Sequence, residues 1–206
     1  MTEQNKKRER VYQVSSNREK SSHKLRYVEA SAPHEDDCRL CVGSLATTDA
    51  QPCDFTVANT SYNDISKIAF LEKQLYSNDA YSAAFFYQAL RQWPHTFLTL
   101  KAGEKTAGYS LMVPVSDSGL SLMSLLVGKI FQGKGLGKLL LSDSIALARS
   151  LGYKQMELSV APDNASAVSL YRSFGFNTTQ TVRDYLGPGQ DRLLMTLSLL
   201  ETDVVS

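Results

Sequence analysis

From Asp54 onward the chain alternates apolar and polar residues with the periods of regular structure, and over residues 1–53 it does not. Phe55 to Ala58 reads as a short strand. Ile68, Leu71 and Leu75 recur at helical spacing, and Phe86, Ala89, Leu90 and Trp93 do so again after the turn-like Ser77-Asn78-Asp79. This predicts two helices, the second ended by Trp93-Pro94. Three strands follow, Thr96 to Lys101, Thr106 to Val115 and Leu120 to Val127. The short glycine-bearing connections between them make them antiparallel neighbours. Leu136 to Leu151 places Leu141, Ile145, Ala148 and Leu151 on one stripe and Ser142, Asp143, Arg149 and Ser150 opposite, an amphipathic helix stopped by Gly152. Met156 to Val160 is the next strand, Asn164 caps a helix running to Ser173 with Gly175 as its stop, and Asn177 to Arg183 and Leu193 to Leu199 close the chain as two strands.

That order predicts an α/β sandwich, a mixed and mostly antiparallel sheet flanked by four helices. Tyr81, Phe85, Phe86 and Tyr87 are expected to pack in its core. Residues 54–206 form the folded domain in this reading, and residues 1–53 a polar extension. Met1 to Ala30 carries eight Lys/Arg against four Glu with few large apolar residues, so too little surface is buried to offset ordering entropy. A flexible basic tail is expected, with a weak contact to ribosome or RNA as the functional alternative.

Charge and cysteine content narrow the classes. A net charge of +1 gives no global case for nucleic-acid binding. No apolar run approaches the roughly 20 residues that span a bilayer, and polar residues follow Met1, so a cytoplasmic location and no membrane partner are expected. Three cysteines argue against a disulfide framework. His34, Cys38, Cys41 and Cys53 together offer the donor types of a tetrahedral zinc site, but with irregular spacing, so no metal is expected.

The chemistry concentrates in Gln132-Gly133-Lys134-Gly135-Leu136-Gly137, between a strand and a long helix. Glycines at alternate positions let the backbone approach a ligand, and a helix starting there aims its free N–H groups and its dipole at an anion. Three phosphate-binding patterns compete. A Walker A loop from Gly128 fails because Gly135 stands where Ser or Thr must hold magnesium. A dinucleotide fingerprint from Gly133 needs a third glycine where Lys138 stands. The remaining pattern, Gln/Arg-x-x-Gly-x-Gly/Ala after a strand, fits Gln132, Gly135 and Gly137.

That pattern resembles the acetyl-CoA pyrophosphate loop of the GNAT acyltransferases. Val127 before the loop, Asn164 opening a later helix, Tyr171 within it and Gly175-Phe176 closing it continue the resemblance, which is strongest to the RimI-type protein N-terminal acetyltransferases. It implies the GNAT acyl-CoA N-acyltransferase fold with acetyl-CoA as donor. Backbone groups of Leu125, Leu126 and Val127 would pair with the pantetheine arm. Gly133, Lys134, Gly135, Leu136, Gly137 and Lys138 would hold the pyrophosphate, Asn164 would contact the donor, and Tyr171 would protonate the leaving thiolate.

The resemblance breaks at the general base. Related enzymes carry a glutamate where Ser159 stands, and a serine is no base without a partner. Glu157 faces the same side of its strand, displaced by about 6.6 Å, and could act through a water; His95, Asp184 and Tyr185 are weaker candidates. A missing base favours an acceptor of low pKa. An α-amine at about 7.8 is roughly a quarter neutral at physiological pH, a lysine at about 10.4 about one part in a thousand. The expected function is therefore acetyl transfer to a primary amine, first a protein or peptide N-terminus. The alternatives are a small-molecule acetyltransferase for antibiotics, polyamines or amino acids, and a non-catalytic acyl-CoA-binding module.

Overall fold

The computed structural model describes residues 55–200. The basic extension and the zinc alternative through His34, Cys38, Cys41 and Cys53 lie outside the described residues. Within them no helix is long and apolar enough to cross a membrane.

Among the described residues seven strands form one sheet: β1 (Phe55–Asn59), β2 (Phe97–Ala102), β3 (Lys105–Pro114), β4 (Gly119–Val127), β5 (Gln155–Val160), β6 (Asn177–Val182) and β7 (Arg192–Ser198). Their spatial order is β1-β2-β3-β4-β5-β7-β6, and only β4 and β5 run parallel. Four α-helices flank it: α1 (Ile65–Tyr76), α2 (Ala83–Gln92), α3 (Leu136–Ser150) and α4 (Ala165–Ser173). The expected order and sheet are present, with the ends of the strands and of α3 and α4 within about two residues.

Each face of the sheet has its own core. One contains Ile65, Ile68 and Leu71 of α1 and Phe86, Ala89 and Leu90 of α2, packed on Phe97, Tyr109, Leu111 and Leu126. The other contains Leu136, Leu140, Leu141, Ile145 and Ala148 of α3 with Val168 of α4, packed on Leu100, Met112, Leu122, Met156, Leu158 and Met195. Two expectations are corrected. Leu151 lies beyond the last turn of α3 and is 45% exposed, and Leu140 takes its place in the core. Of the four aromatics expected inside, only Phe86 is fully buried, because Tyr81 precedes α2 and Tyr87 sits on its outer face.

Local polar contacts fix the helix entries. Asp64 accepts from the Ser61 N–H and hydroxyl (2.9 and 2.6 Å) and pairs with Lys101 (3.3 Å), which ties the start of α1 to β2. Burial alone would raise the Asp64 pKa, but the Ser61 hydrogen bonds and Lys101 hold it below its ordinary value. Ser82 caps α2 by accepting from Phe85 N–H (3.2 Å).

Two irregularities of β4 matter for the site. Its pairing with β5 covers only Gly119↔Gln155, Leu120↔Met156 and Ser121↔Glu157, after which the strands separate. Its pairing with β3 slips at Met123, since Leu111 faces Ser124 while Met112 faces Leu122. Such a bulge shifts the alternation of side chains. Leu120 and Leu122 face α3, whereas Ser124 and Leu126 turn toward α1 and α2.

Candidate active site

The separation of β4 from β5 leaves a slot in mid-sheet, and hydrogen-bond phase decides which groups line it. Gly128 N–H donates to Ala107 O (2.8 Å), which makes Gly108↔Val127 a non-hydrogen-bonded pair of the antiparallel ladder. The N–H and C=O of Val127 and, two residues back, of Leu125 therefore point away from β3 into the slot. Leu126, expected to contribute to the slot, instead directs its backbone groups to Tyr109 on β3. The Val127 carbonyl accepts from Gln132 Nε2 (2.9 Å), so Gln132 pins the following loop to the end of β4.

That loop has the form of an anion cradle. A short 3₁₀ turn at Lys129–Phe131 leads into Gly133 (φ 76°) and Gly135 (φ 77°), both in the left-handed region that a side chain disfavours. A Cβ at either position would meet no atom within 4 Å, so the space above the loop is open. The first bonds of α3 run from Lys138 and Leu139 N–H to Gly135 O (3.0 and 3.1 Å). Among the described residues, the N–H groups of Gly133, Lys134, Gly135, Leu136 and Gly137 have no acceptor. Five free donors at a helix N-terminus, with the exposed Lys134 and Lys138 beside them, fit a diphosphate. The donor set thus suits the pyrophosphate of CoA, and the free edge of β4 suits an extended arm.

Tyr171 lies on α4, half-buried, with its ring edge-to-face against Phe176 (centroids 5.8 Å apart). Every buried side-chain nitrogen or oxygen among the described residues has a partner. The Tyr171 hydroxyl has none, so it sits at accessible surface. Burial of the rest of the phenol, with Tyr76 nearby, pushes its pKa up to about 12, and it is protonated at any physiological pH. Asn164 caps α4, its Oδ1 accepting from Ala167 N–H (3.2 Å) and Ser166 Oγ (3.1 Å).

Glu157 and Ser159 are both exposed and share the face of β5 opposite Met156, Leu158 and Val160. Glu157 stands beside Ser121, the last paired position before the slot, and Ser159 lies one step inside it. Among the described residues no cluster of His, Cys, Asp and Glu could hold a metal.

One group was missed from the sequence. Glu72 of α1 is only 2% exposed, and its carboxylate accepts from the Tyr109 hydroxyl and from Tyr81 N–H (3.2 Å). Tyr109 Oη in turn contacts Ser124 Oγ at 2.7 Å. A local signal existed: Glu72 continues the spacing of Ile65 and Ile68, at i+4 from the latter, so it falls on the buried stripe.

The chain is similar in sequence and in fold to known proteins. The ribosomal protein bS18-alanine N-acetyltransferase of Salmonella typhimurium strain LT2 is 32% identical over 105 residues, covering 50% of this chain and 70% of that protein. An N-alpha-acetyltransferase, RimI, of Mycobacterium tuberculosis H37Rv is 28% identical over 143 residues, covering 68% and 87%. The crystallised yncA of Salmonella typhimurium, with its cofactor acetyl-CoA, shares the fold at a TM-score of 0.63 and 21% identity, covering 74% of this chain and 98% of its own. The acetyltransferase (GNAT) family model matches residues 61–176, more than half of the sequence and all of the slot, loop and Tyr171. The chain therefore belongs to the GNAT family and is an N-acetyltransferase that uses acetyl-CoA as its donor.

Proposed function

We propose that the acceptor is the α-amine of a protein or peptide N-terminus, and that the protein acts in the cytoplasm. The observation that carries this reading is the similarity over two thirds or more of two relatives, one named for an alanine of a ribosomal protein and the other for N-alpha acetylation. The site chemistry agrees, because Ser159 puts no carboxylate in the slot on β5 and an α-amine needs the least help to lose its proton.

Bound acetyl-CoA supplies the activated acetyl group. The N–H groups of Gly133 to Gly137 hold its diphosphate with Lys134 or Lys138 adding charge, and Leu125 and Val127 pair with the pantetheine arm. Val127 N–H, aimed into the slot, stabilises the negative charge that develops on the carbonyl oxygen. Tyr171 Oη donates to the departing thiolate, and Asn164 adds a contact from the cap of α4. Glu157, acting through a water, is the candidate base on β5, with Ser159 beside it.

The test is acetyl-CoA titration by calorimetry, followed by CoA release with an N-terminal peptide pool, free lysine and spermidine. Turnover on peptides alone supports the proposal. Turnover on the small amines moves the protein to the metabolite class, and donor binding without turnover identifies a non-catalytic module.

A further inference from the structure

The α1/α2 face of β4 carries a chain of polar side chains that the mechanism above does not use. We propose that Glu72, Tyr109 and Ser124 form a proton relay that removes the proton of the acceptor ammonium, with Ser124 Oγ as the group that meets the amine. This inference rests on the amine-acetyltransferase reading but is indifferent to which amine is accepted.

The direction of the chain follows from counting protons. Glu72 is met by two donors, Tyr109 O–H and Tyr81 N–H, the pattern that an acceptor-only carboxylate takes. A phenol has one proton, and that of Tyr109 is spent on Glu72. The 2.7 Å contact between Tyr109 and Ser124 must then be donated by the Ser124 hydroxyl. Two lone pairs remain on Ser124 Oγ, which is half-buried on the part of β4 that has left β5. The three groups thus run from a buried carboxylate to an accepting oxygen on the α1/α2 face of β4, at the stretch of that strand that has left β5, and every donor points toward Glu72.

Two features argue that this is more than a satisfied core cluster. The Met123 bulge turns Ser124 to this face; without it, the alternation set by Leu120 and Leu122 would point Ser124 at α3. Glu72 also has no cation: the one ion pair among the described residues is Lys101 with Asp64. The titratable groups around it are phenols, Tyr76 on its own helix, Tyr81 ahead of α2 and Tyr109 on β3, while Tyr76 also acts on Tyr171 of α4. Glu72 is thus held by neutral donors, with no cation within ion-pair distance among the described residues.

One N–H bond of the ammonium breaks to Ser124 Oγ, the Ser124 proton passes to Tyr109 Oη, and the Tyr109 proton passes to Glu72 Oε1. The neutral amine then forms its C–N bond as the C–S bond breaks. The thiolate leaves on a hydrogen bond from Tyr171 and takes up, through solvent, the second amine proton shed as the amide forms. Glu72 releases its proton to solvent, so ammonium and thioester give amide, thiol and one proton.

The test compares the full chain with E72Q, Y109F and S124A, reading kcat/KM for a peptide α-amine and for lysine from pH 6 to 10, with donor affinity by calorimetry. The relay predicts a loss of about 10²-fold at pH 6.5, of the order general-base catalysis supplies. That loss shrinks as pH passes the pKa of the acceptor, and E72Q/S124A is no worse than either single variant. In protein without donor, the infrared carboxylate band that E72Q removes shifts in Y109F and in S124A. A loss equal at all pH values, or S124A with wild-type kcat/KM at pH 6.5, overturns the relay. Ser124 is half-buried and its methyl replacement fits, so S124A decides the matter if E72Q fails to fold. Wild-type protein that turns over no amine overturns the acetyl-transfer reading and the relay together, whereas wild-type turnover shared by S124A overturns the relay alone.

Discussion

Replacing Tyr171 with phenylalanine separates proton donation from packing. The ring keeps its edge-to-face contact with Phe176, and the lost hydroxyl has no partner, so no buried group is orphaned and stability should hold within about 0.5 kcal/mol. The catalytic loss follows from the elevated pKa. A phenol at about 12 is a weaker acid than a thiol, for which free cysteine at about 8.5 is the reference, so complete proton delivery is uphill. What the hydroxyl offers in the transition state is therefore a charge-assisted hydrogen bond, about 1.5–3 kcal/mol. At 1.36 kcal/mol per tenfold, Y171F should lower kcat about 10- to 150-fold, with the dissociation constant of acetyl-CoA unchanged within about twofold. CoA release at saturating peptide gives kcat and calorimetry gives the affinity. In the wild type no alkaline fall in kcat should arise from this phenol below about pH 11. Wild-type kcat in Y171F would refute the donor role, and a parallel loss of donor affinity would assign the hydroxyl to binding.

Three further outcomes are expected. Gly135→Glu forces a side chain onto a φ of 77° and places a carboxylate where five N–H donors converge, so calorimetry should show acetyl-CoA binding abolished. Asn164→Ala removes the cap of α4 and should cost about 0.5–2 kcal/mol in denaturant melts, while Asn164→Ser restores most of it; reduced donor affinity in the serine variant would reveal a ligand contact beyond capping. Tyr76, Tyr81, Tyr109 and Tyr171 all have pKa values raised first by burial, so above pH 10 the unfolded chain releases protons that the folded one retains. Stability should fall as pH rises from about 10, for Tyr171 over the window up to about 12, and Y171F should soften that fall in thermal melts.

The elements were legible because most of this domain has one apolar face per element. Strands and helices whose alternate or fourth residues are buried announce their period, and α3, β5 and α4 came out within about two residues of their bounds. The loop was legible for a different reason: glycine at 133 and 135 answers a local backbone demand that no distant contact alters. Glu72 was missed although its spacing from Ile65 and Ile68 puts it on the buried stripe, because a charged residue beside Lys73 on a helix reads as solvent-facing. Its partner Tyr109 is 37 residues away on another element, and a contact of that kind leaves no local trace. Ser124 was hidden by the bulge, because a phase shift at Met123 cannot be seen in an alternating run of leucine, serine and methionine. The aromatics before and within α2 were overcounted as core because side-chain size, unlike period, does not say which way a residue faces.

The three-residue contact between β4 and β5 makes the sheet two half-sheets, β1 to β4 and β5-β7-β6, with an unfinished edge on each. An edge in the interior of a protein is a place where amides exchange with solvent although their neighbours do not. The Leu125 and Val127 amides should thus exchange faster than that of Leu126, in spite of lying in the same strand. A donor that lies in the slot acts as the missing strand: it should slow those two amides and raise the cooperativity with which the halves unfold. Loading with acetyl-CoA then becomes a mechanical event for the whole domain, converting a hinged sheet into a continuous one.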